Sequence, residues 1–308
     1  MANIDFYTKK NLYTEISSAL NDSVSGLSSS SKEPEFIANV ACKFPIKLTE
    51  ILNKCVPGLA FKTCGCFIHN SPKMKFCDTT IAKKGAELGD LLIVYKEESK
   101  DGDKLYNALL LQAKKIDYAK TVDKRFCSKM SGNPTQLILY TKWPRFRYTQ
   151  PASLSRKTRD IYPKTIHNGA QYLLINPYQP VVEFWCATAN SELCASVSLA
   201  SQIISLIEFQ SGEAFVLNPP VKMDDWSSMI MDLLYMTRDS VFNLKGHFNG
   251  EKRMSKNPST NKPEFTLEDL MEAITDCKEQ CKIEEGNNNC GISLICIEGK
   301  RNNENKRK

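Results

Sequence analysis

Three features of the 308-residue sequence predict an α/β protein built on a mixed sheet covered by helices. Leu91–Tyr95 is a short, continuously apolar run, and with it Ala108–Ala113 and Ala170–Ile175, each apolar but for one glutamine, read as buried strands. Segments with helical spacing at 35–54, 134–142 and 192–209 lie before, between and after those runs. With the strand-like segment at Leu59–Ile68, the order is helix, strand, strand, strand, helix, strand, helix, which suits a sheet with helices on its faces.

From the start of the chain, Asn11–Leu20 carries a short helical pattern. A serine-rich run from Ser23 to Ser31 then reads as a flexible linker. The helix over 35–54 has Phe36, Ile37, Val40, Leu48, Ile51 and Leu52 on its apolar side, and Pro45 is expected to break or kink it. Leu59–Ile68 and Lys73–Cys77 have strand character. Asp101-Gly102 marks a turn between the two apolar strands 91–95 and 108–113. Pro134 opens the next helix, and Asn176-Pro177 stops the strand at 170–175. Beyond Asn218-Pro219-Pro220 the pattern shifts to helices at 224–242 and 266–282 and a last strand at Gly291–Ile297. The expected organisation is an N-terminal helix and Ser-rich linker (1–34), a core (35–215), a mainly helical C-terminal region (216–299) and a basic tail (300–308) too polar to fold.

Composition narrows the function. Hydrophobic residues make up 42% and charged residues 25%, ordinary values for a globular chain. No run approaches the roughly 20 apolar residues of a membrane helix, and the start lacks an apolar signal core, so a cytoplasmic protein without a membrane partner is expected. The twelve scattered cysteines then read as reduced thiols. Three histidines leave little room for a His-built metal site. Phosphate-binding glycine loops and the Gly-x-Ser-x-Gly elbow are absent from the sequence.

The net charge of +6 is concentrated. Residues 142–164 hold seven basic residues and one acid, Asp160, while 264–285 holds eight acids and two lysines. Clustered positive charge is what a polyanion-binding surface needs. Lys142, Arg145, Arg147, Arg156, Lys157 and Arg159 are the candidate nucleic-acid-binding residues, with Trp143, Phe146 and Tyr148 interleaved among them. The acidic helical segment could instead dock a basic partner.

The chemistry is carried by Glu87-Leu-Gly-Asp90 before one buried strand and Gln112-Ala-Lys114 at the end of the next. Gln112 and Lys114 are two apart on a strand and share a face. If the two strands form a hairpin, an odd-length loop puts Asp90 on that same face and a two-residue loop does not. An aspartate, an amide oxygen and a lysine at strand ends suit phosphodiester hydrolysis. Asp90 and the carbonyl of Gln112 would bind Mg²⁺ or Mn²⁺, and Lys114 would orient water or stabilise the charged transition state. The competing reading is a salt bridge at a sheet edge. Against it, charge that interrupts a buried strand costs several kcal/mol unless it is paired or functional.

The pattern Asp90…Gln112-x-Lys114, in its strand–strand context, resembles the PD-(D/E)XK restriction-endonuclease-like nucleases over about residues 35–210. The resemblance implies an αβββαβ core, metal held by Asp90 and by the residue at 112, and a water-activating lysine at 114. Gln112 departs from the usual Glu or Asp, as in Mrr-like members, and Glu87 could compensate. A glutamate from the first core helix is also implied, with Glu50 the candidate and Glu35 or Glu15 in reserve. The implied function is a metal-dependent endonuclease acting on DNA, in bacterial anti-phage defence and under a regulatory protein partner. The alternative is an inactive nuclease-like scaffold that still binds nucleic acid. Of two cysteine groups, Cys64-x-Cys66 with His69 and Cys77 matches no usual zinc spacing, while Cys277-x3-Cys281, one helical turn apart with Cys290 and Cys296 following, is the better of the two, but Cys296 sits in an apolar strand as a core residue would. His167 reads as a turn or packing residue.

Overall fold

The computed structural model describes residues 4–68, 72–82, 84–116, 134–155, 157–189, 193, 195–218, 225–248, 265–276, 282–283 and 291–301. Its centre is a nine-stranded mixed sheet. Eight strands run in the order β10 (Val197–Ser198), β9 (Glu183–Ala187), β8 (Ala170–Asn176), β5 (Lys104–Lys115), β4 (Leu91–Glu98), β13 (Ser293–Arg301), β1 (Leu59–Ile68) and β12 (Lys282–Ile283). The ninth, β11 (Glu213–Ala214), pairs with β5. The α/β class and the mixed sheet are as expected.

Helices cover both faces. On one side, α1 (Phe6–Ser23), α2 (Glu33–Cys55) and α4 (Leu199–Ile207) bury Leu12, Ile16, Phe36, Phe44 and Ile203 against Leu91, Ile93 and Leu109. On the other, α3 (Pro134–Lys142), α5 (Asp225–Phe248) and α6 (Leu267–Asp276) bury Tyr140, Met229 and Leu270 against Leu92, Val94 and Leu110. This two-sided cover explains why Leu91–Tyr95 of β4 and Ala108–Leu111 of β5 read as apolar runs. A second sheet sits on that latter side. It is four-stranded and antiparallel, in the order β3 (Ala86–Glu87), β2 (Lys73–Phe76), β6 (Phe146–Gln150) and β7 (Thr158–Arg159). No described helix is long and apolar enough to cross a membrane.

Several elements depart from expectation. Pro45 lies inside α2, which runs on to Cys55. Proline has no N–H for the carbonyl four residues back, so Ala41 loses its usual intrahelical partner. Gly65 of β1 packs closely against that carbonyl: a Cβ there would lie 2.1 Å from Ala41 O. The Ser-rich run is a short loop whose carbonyls are bound by the body of the protein, and α1 is packed on α2 and α4 rather than tethered. The segment 216–299 is not an appended helical region, because its last strand, β13, lies between β1 and β4, antiparallel to the first and parallel to the second. Strands β6 and β9 lie where no strand was expected. The acidic helix α6 buries Leu267, Leu270, Met271, Ala273 and Ile274 against its own fold. Most of the expected basic tail (302–308) lies outside the described residues; Lys300 and Arg301 end β13.

Candidate active site

The hairpin β4–β5 turns over five residues, Ser99–Asp103, with Gly102 in the left-handed region at φ 88°. That odd length fixes the register Leu91↔Leu111, so Asp90 falls opposite Gln112, and Asp90 N–H donates to Leu111 O at 2.8 Å. Asp90, Gln112 and Lys114 therefore share a face, the one carrying Leu92, Val94 and Leu110.

Strand β5 outruns β4 by four residues, and its N–H groups there have no β4 partner. Side-chain carboxylates take them instead. Ala113 N–H donates to Asp90 Oδ2 at 2.7 Å, and Lys115 N–H donates to Glu33 Oε2 at 2.8 Å. Donors two apart on a strand are about 6.6 Å from one another, so the overhang draws two carboxylates side by side. Glu33 arrives from the N-terminus of α2, followed by Pro34 in the first turn. Lys115 Nζ donates to Ser29 O and Ser31 O, both at 2.8 Å, which holds the loop before α2 in place.

Gln112 is buried. Its Nε2 donates to Asp90 Oδ2, and its Oε1 accepts from Gln136 Nε2 at 3.0 Å. Gln136 lies one helical turn before Tyr140 on α3, and Tyr140 OH donates to Leu88 O at 2.8 Å. One face of α3 thus steadies both sides of the hairpin end. Gly89 completes the close packing, since a Cβ there would lie 2.6 Å from Leu110 Cδ1.

The Asp90 carboxyl is raised to about 7, first by burial and then by the Glu33 and Glu87 charges, while Lys114 and the Ala113 N–H work in the other direction. Four of the groups that act on Asp90 are thus the side chains of Glu33, Lys114 and Glu87 and one strand-end N–H. Glu33 and Glu87 are near enough to act on the charge of Asp90, but the three carboxylates do not converge on one point; among the described residues only Glu98, Glu268 and Glu298 do so. A hard divalent cation, which takes carboxylate oxygens, would have to draw them together. In the present arrangement Gln112 turns its nitrogen, not its oxygen, toward Asp90, so ligation by Gln112 requires its amide to turn over.

Of the expected residues, Gln112 bonds Asp90, and Lys114 and Glu87 lie near enough to act on its charge. The expected helix glutamates do not. Glu50 is exposed and paired with Lys47, Glu15 is paired with Lys54, and Glu35 is exposed. Glu33, Gln136 and Tyr140 are the residues that sequence reasoning missed. The available signals were a Glu-Pro helix start and two polar-tipped residues four apart on an otherwise apolar helix.

The basic segment divides. Lys142, Arg145 and Arg147 are exposed. Lys157 and Arg159 instead bracket the buried Asp232, at 3.0 Å and 2.6 Å, which is a structural role. Arg156 lies outside the described residues. Trp143, Phe146 and Tyr148 are fully buried, so these aromatics are core and offer no stacking platform. His167 is a packing residue as expected, stacked on Trp226 with its Nε2 3.1 Å from Pro163 O.

Away from this site, Glu98, Glu268 and Glu298 converge closely enough to hold a metal, but the cation among them is the fully buried Lys96. Its Nζ lies 2.6 Å from Glu298 Oε1 and also bonds Glu268. Burial works against that charge, and the bonds to Glu268 and Glu298 outweigh it, holding Lys96 above the usual lysine range. Cys64 and Cys66 are buried, with Cys64 facing Cys296 across β1 and β13. Burial pushes the Cys296 thiol well up, as suits a core residue. His69, Cys277, Cys281 and Cys290 lie outside the described residues.

No family model, curated protein or solved structure matches this chain.

Proposed function

We propose that the chain is a divalent-metal-dependent nuclease with a restriction-endonuclease-like core, hydrolysing phosphodiester bonds of DNA. The observation that carries the reading is the pairing at the β5 overhang. Asp90 and Glu33 carboxylates occupy alternate strand-end N–H groups, and Lys114 lies between those two positions in sequence. A simple edge salt bridge needs one acid and one base. Here the charges of Glu33 and Glu87 act on a third acid, Asp90, whose burial makes its own charge costly. Within the large sheet and its helices the chain order α2, β1, β4, β5, α3, β8 matches an αβββαβ core, with β13 inserted between β1 and β4 and with β2 and β3 placed in the second sheet.

A bound Mg²⁺ or Mn²⁺ would be held by Asp90 and Glu33, with Glu87 alongside, and would supply charge stabilisation and a more acidic water. Gln136 and Tyr140 keep the hairpin end rigid. Lys114 offers an ammonium with three donors that can orient the attacking water or a phosphate oxygen. The superfamily resemblance adds a cytoplasmic bacterial defence setting with a regulatory protein partner to this proposal.

A second reading, an inactive nuclease-like scaffold, is favoured by one observation: the neutral Gln112 amide donates to Asp90. Plasmid incubated with purified protein and Mn²⁺ or Mg²⁺ separates the two. Nicking by the wild type that is lost in both Asp90→Asn and Lys114→Ala supports the nuclease. Equal nicking by all three proteins removes it, and no nicking by a folded wild type favours the scaffold.

A further inference from the structure

The four-stranded sheet that carries Glu87 alternates cleanly. Met74, Phe76, Phe146 and Tyr148 point into the core, while Lys73, Lys75 and Arg147 point outward and are exposed. Lys75 and Arg147 are direct partners across β2 and β6. Like charges placed opposite one another on a sheet are destabilising, so this pair opposes the fold it sits in. Arg145, just before β6, is exposed as well. Among the described residues, none of these four basic side chains has a carboxylate partner, in contrast to Lys157 and Arg159. Lys73 is also the strand partner of Glu87, so the sheet's β3 edge runs into the candidate active site.

We propose that the outward face of this sheet, through Lys73, Lys75, Arg145 and Arg147, docks the phosphate backbone of duplex DNA and delivers it to the Asp90 site. The inference rests on the nuclease reading and deepens it by naming the form of the substrate. Charge complementarity selects the occupant: a polyanion relieves the Lys75–Arg147 repulsion, and nothing else in the described fold does. The duplex form follows from where the aromatics are. Binders of single strands combine basic grooves with exposed aromatic platforms for the bases. Here all the aromatic rings of β2 and β6 face inward. A face that offers cations without stacking surfaces holds backbone and reads no sequence.

The test measures binding in EDTA, where hydrolysis plays no part, by anisotropy of a short labelled DNA duplex across a salt series. The triple variant Lys73→Gln/Lys75→Gln/Arg147→Gln should bind more weakly, with a log–log salt slope shallower by about 2.7 if each residue makes one phosphate contact. The single variant Lys75→Gln, with a melting temperature at or slightly above that of the wild type, should lower the slope by about 0.9 and provides the readout if the triple variant folds poorly. An unchanged slope in both overturns the docking face. Single-stranded DNA of the same sequence bound as tightly as duplex overturns the duplex assignment. Mn²⁺-dependent plasmid nicking by the wild type is scored separately, so loss of the nuclease reading and loss of the docking face remain distinguishable.

Discussion

Glu33 and Lys115, 82 residues apart, are joined at the open end of the sheet: the Lys115 N–H donates to Glu33 Oε2 at 2.8 Å. That bond turns a helix N-terminus toward a strand end and sets a second carboxylate beside Asp90. Glu33→Gln keeps an acceptor for the N–H but removes the charge. Its expected effect is weaker Mn²⁺ binding, seen as a smaller metal-induced rise in melting temperature, and slower nicking with little loss of stability. A variant with wild-type metal response would remove Glu33 from the site.

Asp90 sets a pH dependence whose sign is opposite to that of most carboxylates. Its folded value is about 7, whereas an unfolded aspartate titrates near 3.9. Between those values the folded state keeps a proton that the unfolded chain has released. Stability from this group is therefore full below about pH 4 and falls as pH rises through 7, by at most about 4 kcal/mol. Denaturant melts of wild type and Asp90→Asn should diverge from about pH 4 to about pH 7, with the asparagine variant gaining. Mn²⁺ should close the gap at the higher pH by stabilising the wild type alone. Parallel pH curves would contradict this.

Gln112 separates catalysis from scaffolding. Gln112→Glu adds a charge beside Asp90, so without metal it should lower the melting temperature. With Mn²⁺ it should recover and nick at a lower metal concentration than wild type. Gln112→Leu removes partners from both Asp90 and Gln136 and should cost about 1–3 kcal/mol that metal does not restore. If Mn²⁺ shifts neither wild type nor Gln112→Glu, the scaffold reading gains.

Lys96→Met should be among the most damaging substitutions in the sheet. It strands Glu98, Glu268 and Glu298 around an apolar side chain, and breaking a buried ion pair from one side costs about 3–5 kcal/mol. Urea denaturation gives the figure. A loss below about 1 kcal/mol would show that the carboxylates reach water freely.

Gly65→Ala tests the contact between β1 and α2. The added methyl would meet Ala41 O at 2.1 Å, backbone that cannot rotate away, and overpacking of this kind costs about 1–3 kcal/mol.

The sequence made the hairpin legible because β4 and β5 are buried on both faces and their polar interruptions stand out. Asp90, Gln112 and Lys114 could be named from that alone, while the face they share depended on a loop length that only the structure supplied. Glu33 escaped because its role follows from the overhang of β5 beyond β4, a property of two strands jointly. The aromatics at 143–148 were ambiguous for the opposite reason: alternation within a basic segment looks the same whether the rings face solvent or a second sheet. The place of β13 was unreadable, since nothing local in Gly291–Ile297 says which two strands it separates.

That placement governs the order of assembly. Ser293 Oγ donates to Ile68 O across 225 residues of chain, and β13 pairs with β1 on one side and β4 on the other. During synthesis, β1 and β4 are made early, yet each keeps an unpaired edge until residues 293–301 leave the ribosome. Long-range pairing of this kind slows folding, and open edges are where nascent chains stick to one another. Expression at lowered temperature or with chaperones should therefore raise the soluble yield more than any surface substitution, because the vulnerable species is a chain still waiting for its middle strand.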